Sequence, residues 1–298
     1  MSTAFIFPGQ GGQFIGQGRA WTEREPSLME LFEAADEITG RPIAKLCFEG
    51  PAEELSKTAN LQPAVLCVSL AALRLMRAAR GRPALAAGHS LGEYGALVAA
   101  EVIDERQALR LVARRAVIMD EVAGQNPGAM TAAVGLPEEE LARICELARN
   151  EGPVVMANFN SPEQIVISGS PRAVAAAGKY IKLKKGRAIP LPVSGGFHSE
   201  LMAEAARRFA AELDKVEFQT PVCPLLPNAT GLPTSEAGEV KALLKEQITS
   251  PVRWVKTVES LLAAGVTEFV EAWPKAYLGS LVRKCLPKGG ELPVLFQD

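Results

Sequence analysis

Gly88-His89-Ser90-Leu91-Gly92 fits G-x-S-x-G, the pattern of a serine set on a sharp turn between a strand and a helix. Glycines on both sides let the backbone pass closely. The hydroxyl is left exposed at a helix N-terminus, where the helix dipole and free amides favour developing negative charge. Five residues alone are a weak signal, and a plain strand–helix turn with a serine cap reads the same way. The flanks strengthen the nucleophile reading: residues 84–87 read as a strand and residues 91–102 as a helix.

A serine nucleophile needs a base. The chain has two histidines. His89 adjoins the serine, and neighbouring side chains at such a turn point apart. That leaves His198, in Gly195-Gly196-Phe197-His198-Ser199, unless it is only a histidine capping a surface helix. Acyl transfer also needs oxyanion donors. The Leu91 amide, directly after the serine, is one candidate. The Gln10 amide, in the early loop Gly9-Gln10-Gly11-Gly12, is the other, although such a loop is also an ordinary flexible turn.

Residues 105–123 read as a helix with Leu111, Arg115, Ile118 and Val122 on one face. Arg115 interrupts that apolar stripe, while Arg114 falls on a polar face with Gln107, Arg110 and Glu121. An inward arginine must find an anion or an interior acceptor, because titration does not neutralise it. The choices are a structural salt bridge to an internal acid, or a bidentate clamp for a substrate carboxylate.

These residues need a scaffold, and the apolar pattern supplies one. Residues 4–7 read as a buried strand stopped by Pro8-Gly9, and residues 27–39 and 61–79 as helices, the second strongly apolar. Asp104 and Gln107 have the spacing of a capping box. Strands at 129–136, 154–158, 164–168 and 187–193 alternate with helices at 137–149 and 171–184. That β-α-β-β-α-β order is ferredoxin-like. Helices follow at 199–214, 236–247, 252–264 and 275–285, with strands at 222–226 and 266–271. The expected fold is α/β: a large α/β-hydrolase-like domain with a mostly parallel sheet, and an inserted small domain. The boundaries are 1–125 and 196–298 for the large domain and 126–195 for the insert.

Composition narrows the class. A formal net charge of −2 gives no footprint for nucleic acid. The tightest basic run, Lys182, Lys184, Lys185 and Arg187, reads as a solvated helix end. No run of ~18 uninterrupted apolar residues suggests a membrane span, and residues 1–7 lack the basic start of a signal peptide. The five cysteines make no CxxC pair and no zinc spacing. Reduced thiols in a cytoplasmic protein are expected.

Taken together, the motifs resemble those of the malonyl-CoA:acyl carrier protein transacylases and the acyltransferase domains of polyketide synthases. Phe7-Pro8-Gly9-Gln10-Gly11, Gly88-His89-Ser90-Leu91-Gly92-Glu93-Tyr94, Gly128-Ala129-Met130, Asn158-Phe159-Asn160-Ser161-Pro162, Phe197-His198 and Gln247-x-x-x-Pro251-Val252 stand in the family's order across nearly the whole chain. The resemblance implies that Ser90 is acylated and that His198 is its base. It places the oxyanion hole at the Gln10 and Leu91 amides and the malonyl carboxylate on Arg115. The backbone carbonyl of Gln247 would orient His198, so changing Gln247 to Ala is expected to do much less than changing His198 to Ala. Asn158 and Phe197 would line the substrate site. The implied substrates are malonyl-CoA and a phosphopantetheinylated acyl carrier protein, with no metal or redox cofactor, and a free-standing monomer is expected. Two departures stand out. Gly195-Gly196 precedes Phe197, which would loosen that turn, and Ala272-Trp273-Pro274-Lys275 replaces the family's Gly-Pro-Gly-Lys. A carrier-protein-directed editing hydrolase, an acyltransferase for another acyl-CoA, and a non-catalytic carrier-protein binder remain open.

Overall fold

The computed structural model describes residues 2–287 and 294–296. Among them the strands are β1 (Thr3–Phe7), β2 (Leu85–Gly88), β3 (Ala129–Val134), β4 (Val154–Ser161), β5 (Gln164–Gly169), β6 (Arg187–Pro190), β7 (Leu225–Leu226), β8 (Glu268–Glu271) and β9 (Val294–Phe296). They form a parallel sheet in the order β7-β2-β1-β8-β9 and a smaller antiparallel sheet in the order β4-β5-β3-β6.

Strand periodicity divides the core. Phe5, Phe7 and Ala86 pack on one side of the large sheet against the helices Met29–Thr39, Thr58–Arg80 and Glu105–Gln125. Ala4, Ile6, Leu85 and Ala87 pack on the other, against Trp254, Val258, Leu278 and Val282. Burial on both faces explains why β1 reads as an unbroken apolar run rather than an alternating one. In the small sheet, Ala133, Ile165 and Ile167 pack under the helices Glu138–Ala148 and Pro171–Leu183. Met130, Ala132 and Val166, one position out of phase, join the large core instead. β4 is tied to the large part by Phe159 N–H to Val252 O and Val252 N–H to Ala157 O, both 2.8 Å.

The helix Thr58–Arg80 is long and apolar enough to cross a membrane by composition, yet 89% of its apolar window is buried inside the protein. It is a core helix, which accounts for its apolar residues all round. Asp104 and Gln107 form the expected capping box, with Gln107 N–H on Asp104 Oδ1 at 2.6 Å and Asp104 N–H on Gln107 Oε1 at 2.9 Å.

Several expected boundaries move. The helix expected over 91–102 is a 3-10 turn, Ser90–Gly92, followed by an α-helix only from Glu93 to Ala99. It stops before Glu101, whose φ of 58° is left-handed. The strand expected at 222–226 is two residues long, because Pro224 lacks the N–H a longer ladder needs. The strand expected over 187–193 ends at Pro190, with Pro192 just beyond. The short helices Ile43–Glu49 and Ala52–Leu55, and β9, were not expected; segments this brief carry no readable period.

Candidate active site

The chain passes from β2 into the 3-10 turn with almost no clearance. A Cβ on Gly88 would overlap the Gly92 carbonyl carbon, and one on Gly92 would overlap the Phe7 carbonyl oxygen. Only glycines close this elbow. Ser90 between them takes φ 50°, a conformation costly for a residue with a side chain. Its backbone is held on both sides. Ser90 N–H donates to Asn228 Oδ1 at 2.6 Å, and Ser90 C=O accepts from Gln247 Nε2 at 2.9 Å. Asn228 Nδ2 also donates to Gly88 O at 2.6 Å, so one buried amide side chain clasps the turn.

His198 follows β6, where the chain returns from the small sheet, and has φ 60°. Its Nε2 lies 2.8 Å from Ser90 Oγ. Its Nδ1 lies 3.0 Å from Gln247 O and 2.9 Å from Ser250 O. Carbonyl oxygens only accept, so Nδ1 carries the proton and the Nε2 lone pair faces the serine hydroxyl. Burial, and then the positive field of Arg115, push the ring's pKa down to about 3, opposed only partly by these carbonyls. The imidazole is neutral at pH 7, the state in which Nε2 can take a proton. Two backbone carbonyls occupy the place of a triad carboxylate. The Ser250 carbonyl was not foreseen.

Arg115 is 1% exposed. Its Nη1 donates to Gln62 Oε1 at 2.7 Å and its Nη2 to Gln247 Oε1 at 3.0 Å, with the guanidinium carbon 5.8 Å from the Tyr94 ring centroid. Among the described residues no carboxylate lies within ion-pair distance of it, so the internal salt bridge that would give it a purely structural role is not found. Arg114 is exposed and reaches Glu212 instead. The side chain of Gln247, expected to matter much less than His198, is 1% exposed and joins Arg115, Ser90 O and the Glu93 carboxylate. These partners were not foreseen, because the resemblance assigned a role only to its carbonyl.

Beside Ser90 is a cavity of about 210 Å³ whose walls include Gln10, Ser90, Met119, Asn158, Phe197 and His198. Met119 lies one helical turn beyond Arg115. Leu91 is buried directly after the serine. A second hollow of about 460 Å³ shares Gln10, Leu191, Val193 and Tyr277 with the first. The turn before Phe197 is packed, not loose: a Cβ on Gly195 would stand 2.5 Å from the Phe197 ring and 3.0 Å from Ala123 Cβ. The altered segment at 272–275 and Tyr277 just beyond it brace the glycine loop. Trp273 Nε1 donates to Gly12 O at 3.2 Å, and Tyr277 Oη donates to Gln10 O at 3.0 Å.

Asn228, Gln62, Glu93 and Tyr277 were not singled out from the sequence. Gln62 had a usable signal, as a polar break in an apolar helix like Arg115. Glu93 sits inside the nucleophile motif. Asn228 and Tyr277 lie in irregular segments and carry no local signal.

Comparison with known proteins agrees with this geometry. Residues 4–293 match the acyl transferase domain family. The malonyl CoA-acyl carrier protein transacylase of Bacillus subtilis (strain 168) is 42% identical over 283 residues, 94% of this chain and 89% of the relative. That of Escherichia coli (strain K12) is 41% identical over 283 residues, 94% and 92% of the two chains. Among solved structures, the acyl-carrier-protein-S-malonyltransferase of Bartonella henselae superposes with a TM-score of 0.94 at 38% identity, covering 99% of this chain and 95% of that one. A malonyl-transacylase in complex with its type II PKS acyl-carrier protein superposes with a TM-score of 0.92 at 37% identity, with the same coverage. Family match, identity and fold lead to one conclusion: the chain belongs to the acyltransferase family, alongside the malonyl CoA-acyl carrier protein transacylases.

Proposed function

We propose that the chain transfers a malonyl group from malonyl-CoA to the phosphopantetheine thiol of an acyl carrier protein, through an ester on Ser90. The observation that carries this reading is the Ser90 Oγ–His198 Nε2 contact of 2.8 Å at a glycine elbow, beside a buried arginine with only neutral acceptors. The relatives' names supply the substrate class.

In the first half-reaction His198 Nε2 takes the Ser90 proton while Oγ attacks the thioester carbon. The Gln10 and Leu91 amides receive the developing oxyanion. As the tetrahedral adduct collapses, the C–S bond breaks and the CoA sulfur leaves with the proton from His198. The second half-reaction runs the same steps in reverse with the carrier thiol. His198 removes its proton, the thiolate attacks the ester, and Ser90 Oγ recovers the proton. Arg115 holds the malonyl carboxylate, Asn158 and Phe197 line the acyl site, and the Gln247 carbonyl orients His198. The hollow next to the cavity has room for a pantetheine arm.

The roles require no metal or redox cofactor. We take the protein to act as a cytoplasmic monomer, without nucleic acid or membrane. The strand order β6-β3-β5-β4 and its separate core of Ala133, Ile144 and Ile167 support a ferredoxin-like insert at 126–195 within a hydrolase-like domain of 1–125 and 196–298.

Incubation with malonyl-CoA alone tests the reading. One malonyl group is expected on the protein, placed on Ser90 by peptide mass spectrometry and lost in Ser90→Ala. An adduct on another residue, such as Cys67, would overturn it.

A further inference from the structure

Glu93 is one of two carboxylates buried among the described residues. The other, Glu271, accepts N–H bonds from Leu278 and Gly279 at 2.6 and 2.8 Å and so caps the helix Leu278–Cys285. Glu93 caps nothing comparable. Its Oε2 accepts from Gln247 Nε2 at 2.9 Å and from Asn228 N–H at 3.2 Å. Gln247 Oε1 accepts from Arg115 Nη2 at 3.0 Å. One amide therefore joins a buried carboxylate to a buried guanidinium, its acceptor toward the cation and its donor toward the anion. A buried charge needs compensation, and this relay supplies the nearest opposite charge tied to Arg115.

We propose that Glu93 is a positioning residue that, through the Gln247 amide, sets how strongly Arg115 attracts an acidic acyl group. The proposal rests on the reading of Arg115 as the carboxylate clamp. With Glu93 ionised, the relay damps the field of Arg115, and an incoming carboxylate meets a partly neutralised cation. With Glu93 protonated, the full charge of Arg115 faces the acyl group. Oε2 keeps both accepted bonds in either state, so the change is one of charge and not of geometry.

Burial pushes Glu93 up to about 7, with the bonds from Gln247 and Asn228 and the charge of Arg115 only partly opposing it. The other titratable groups facing this spot do not change charge near neutral pH. Arg115, on the helix Glu105–Gln125, stays cationic. Tyr94, on Glu93's own helix, is pushed up by burial. His198, on the segment after β6, is pushed down to about 3.

The experiment is the ratio of kcat/KM for malonyl-CoA to that for acetyl-CoA, from about pH 6 to about pH 8.5, on either side of the Glu93 transition. Taking the ratio cancels titration of the CoA phosphates and of the Ser90–His198 pair. In the wild type the ratio should fall roughly fivefold as pH rises, equivalent to about 1 kcal/mol. Glu93→Gln, which keeps an acceptor oxygen and loses the charge, should hold the low-pH ratio throughout. A Glu93→Gln profile that follows the wild type would overturn the proposal. If that variant does not fold, a flat wild-type profile overturns it equally. Arg115→Ala separates the two readings. If it leaves the ratio at the wild-type value, the clamp itself fails and the proposal falls with it. If it collapses the ratio while Glu93→Gln tracks the wild type, only the role of Glu93 is wrong.

Discussion

Ser90 and His198 stand 108 residues apart in sequence, share a left-handed backbone at φ 50° and 60°, and meet through a hydrogen bond of 2.8 Å. Only two other non-glycine residues among those described, Glu101 and Lys185, have positive φ. Such strain persists where the surroundings over-determine it. Here the surroundings are Asn228 and Gln247 around Ser90, and Ile248 O, which accepts His198 N–H at 3.0 Å. His198→Ala should slow acylation of Ser90 by ~10²-fold or more, the usual cost of a lost general base. Rapid-quench measurement of the malonyl-enzyme is the check, and an unchanged rate would remove His198 from the mechanism.

Gln247→Ala leaves the carbonyl that orients His198 but deletes three side-chain bonds. The buried Arg115 Nη2 and the half-buried Ser90 O each lose a partner, while Glu93 keeps only the N–H of Asn228. Each buried group left unpaired costs ~1–3 kcal/mol. A lower melting temperature and a malonyl transfer rate reduced by at least ~10-fold are expected together. A variant that melts and turns over like the wild type would mean that the side chain contributes nothing.

Arg115→Ala should cut malonyl transfer by ~10²-fold or more, since losing one partner of a buried charged pair costs ~3–5 kcal/mol. Transfer from acetyl-CoA should fall far less. Arg114→Ala is the control, because its exposed pair with Glu212 at 3.3 Å contributes ~1 kcal/mol at most. Equal losses with both donors in a folded Arg115→Ala protein would favour an editing hydrolase over a malonyl transferase.

Glu93 and His198, both buried, act on stability with opposite signs. Glu93 is raised to about 7 from 4.5, so between those values the folded state binds more protons and stability falls as pH rises. His198 is lowered to about 3 from 6.5, so over that window the unfolded state binds more protons and stability falls as pH drops. Glu93→Gln removes only the first effect. Its stability relative to the wild type should therefore increase from about pH 4.5 to about pH 7, by on the order of 3 kcal/mol, and level off above. Denaturant melts of both proteins at several pH values measure this. A difference independent of pH would show that Glu93 titrates normally.

The sequence made the site legible where chemistry imposes a short motif or breaks a pattern. Gly88 and Gly92 announce the elbow because nothing larger fits, and Arg115 is conspicuous because it interrupts an apolar stripe. The small sheet was readable from its alternating strands and two amphipathic helices. What stayed hidden depends on long-range contact. Asn228, from a loop 138 residues after Ser90, has no period to betray it. Ser250 contributes only a carbonyl, which every residue has. Gln247 was identified for its backbone, while its side chain acquires partners only once three distant segments are packed together.

The bracing of the glycine loop has a consequence for the order in which the protein becomes competent. Gln10 and Gly12 leave the ribosome early, but the groups that hold their carbonyls, Tyr277 Oη and Trp273 Nε1, arrive 267 and 261 residues later. β8, the neighbour of β1 in the sheet, is equally late. Contacts of such sequence separation form last, because closing the chain over that span must precede any gain from the contact. A nascent chain that has already emerged with Ser90, Arg115, His198 and Gln247 still lacks the wall behind its first loop. A chain cut before Trp273 would thus hold Ser90, His198 and Gln247 but lack both side-chain donors that fix the Gln10 and Gly12 carbonyls.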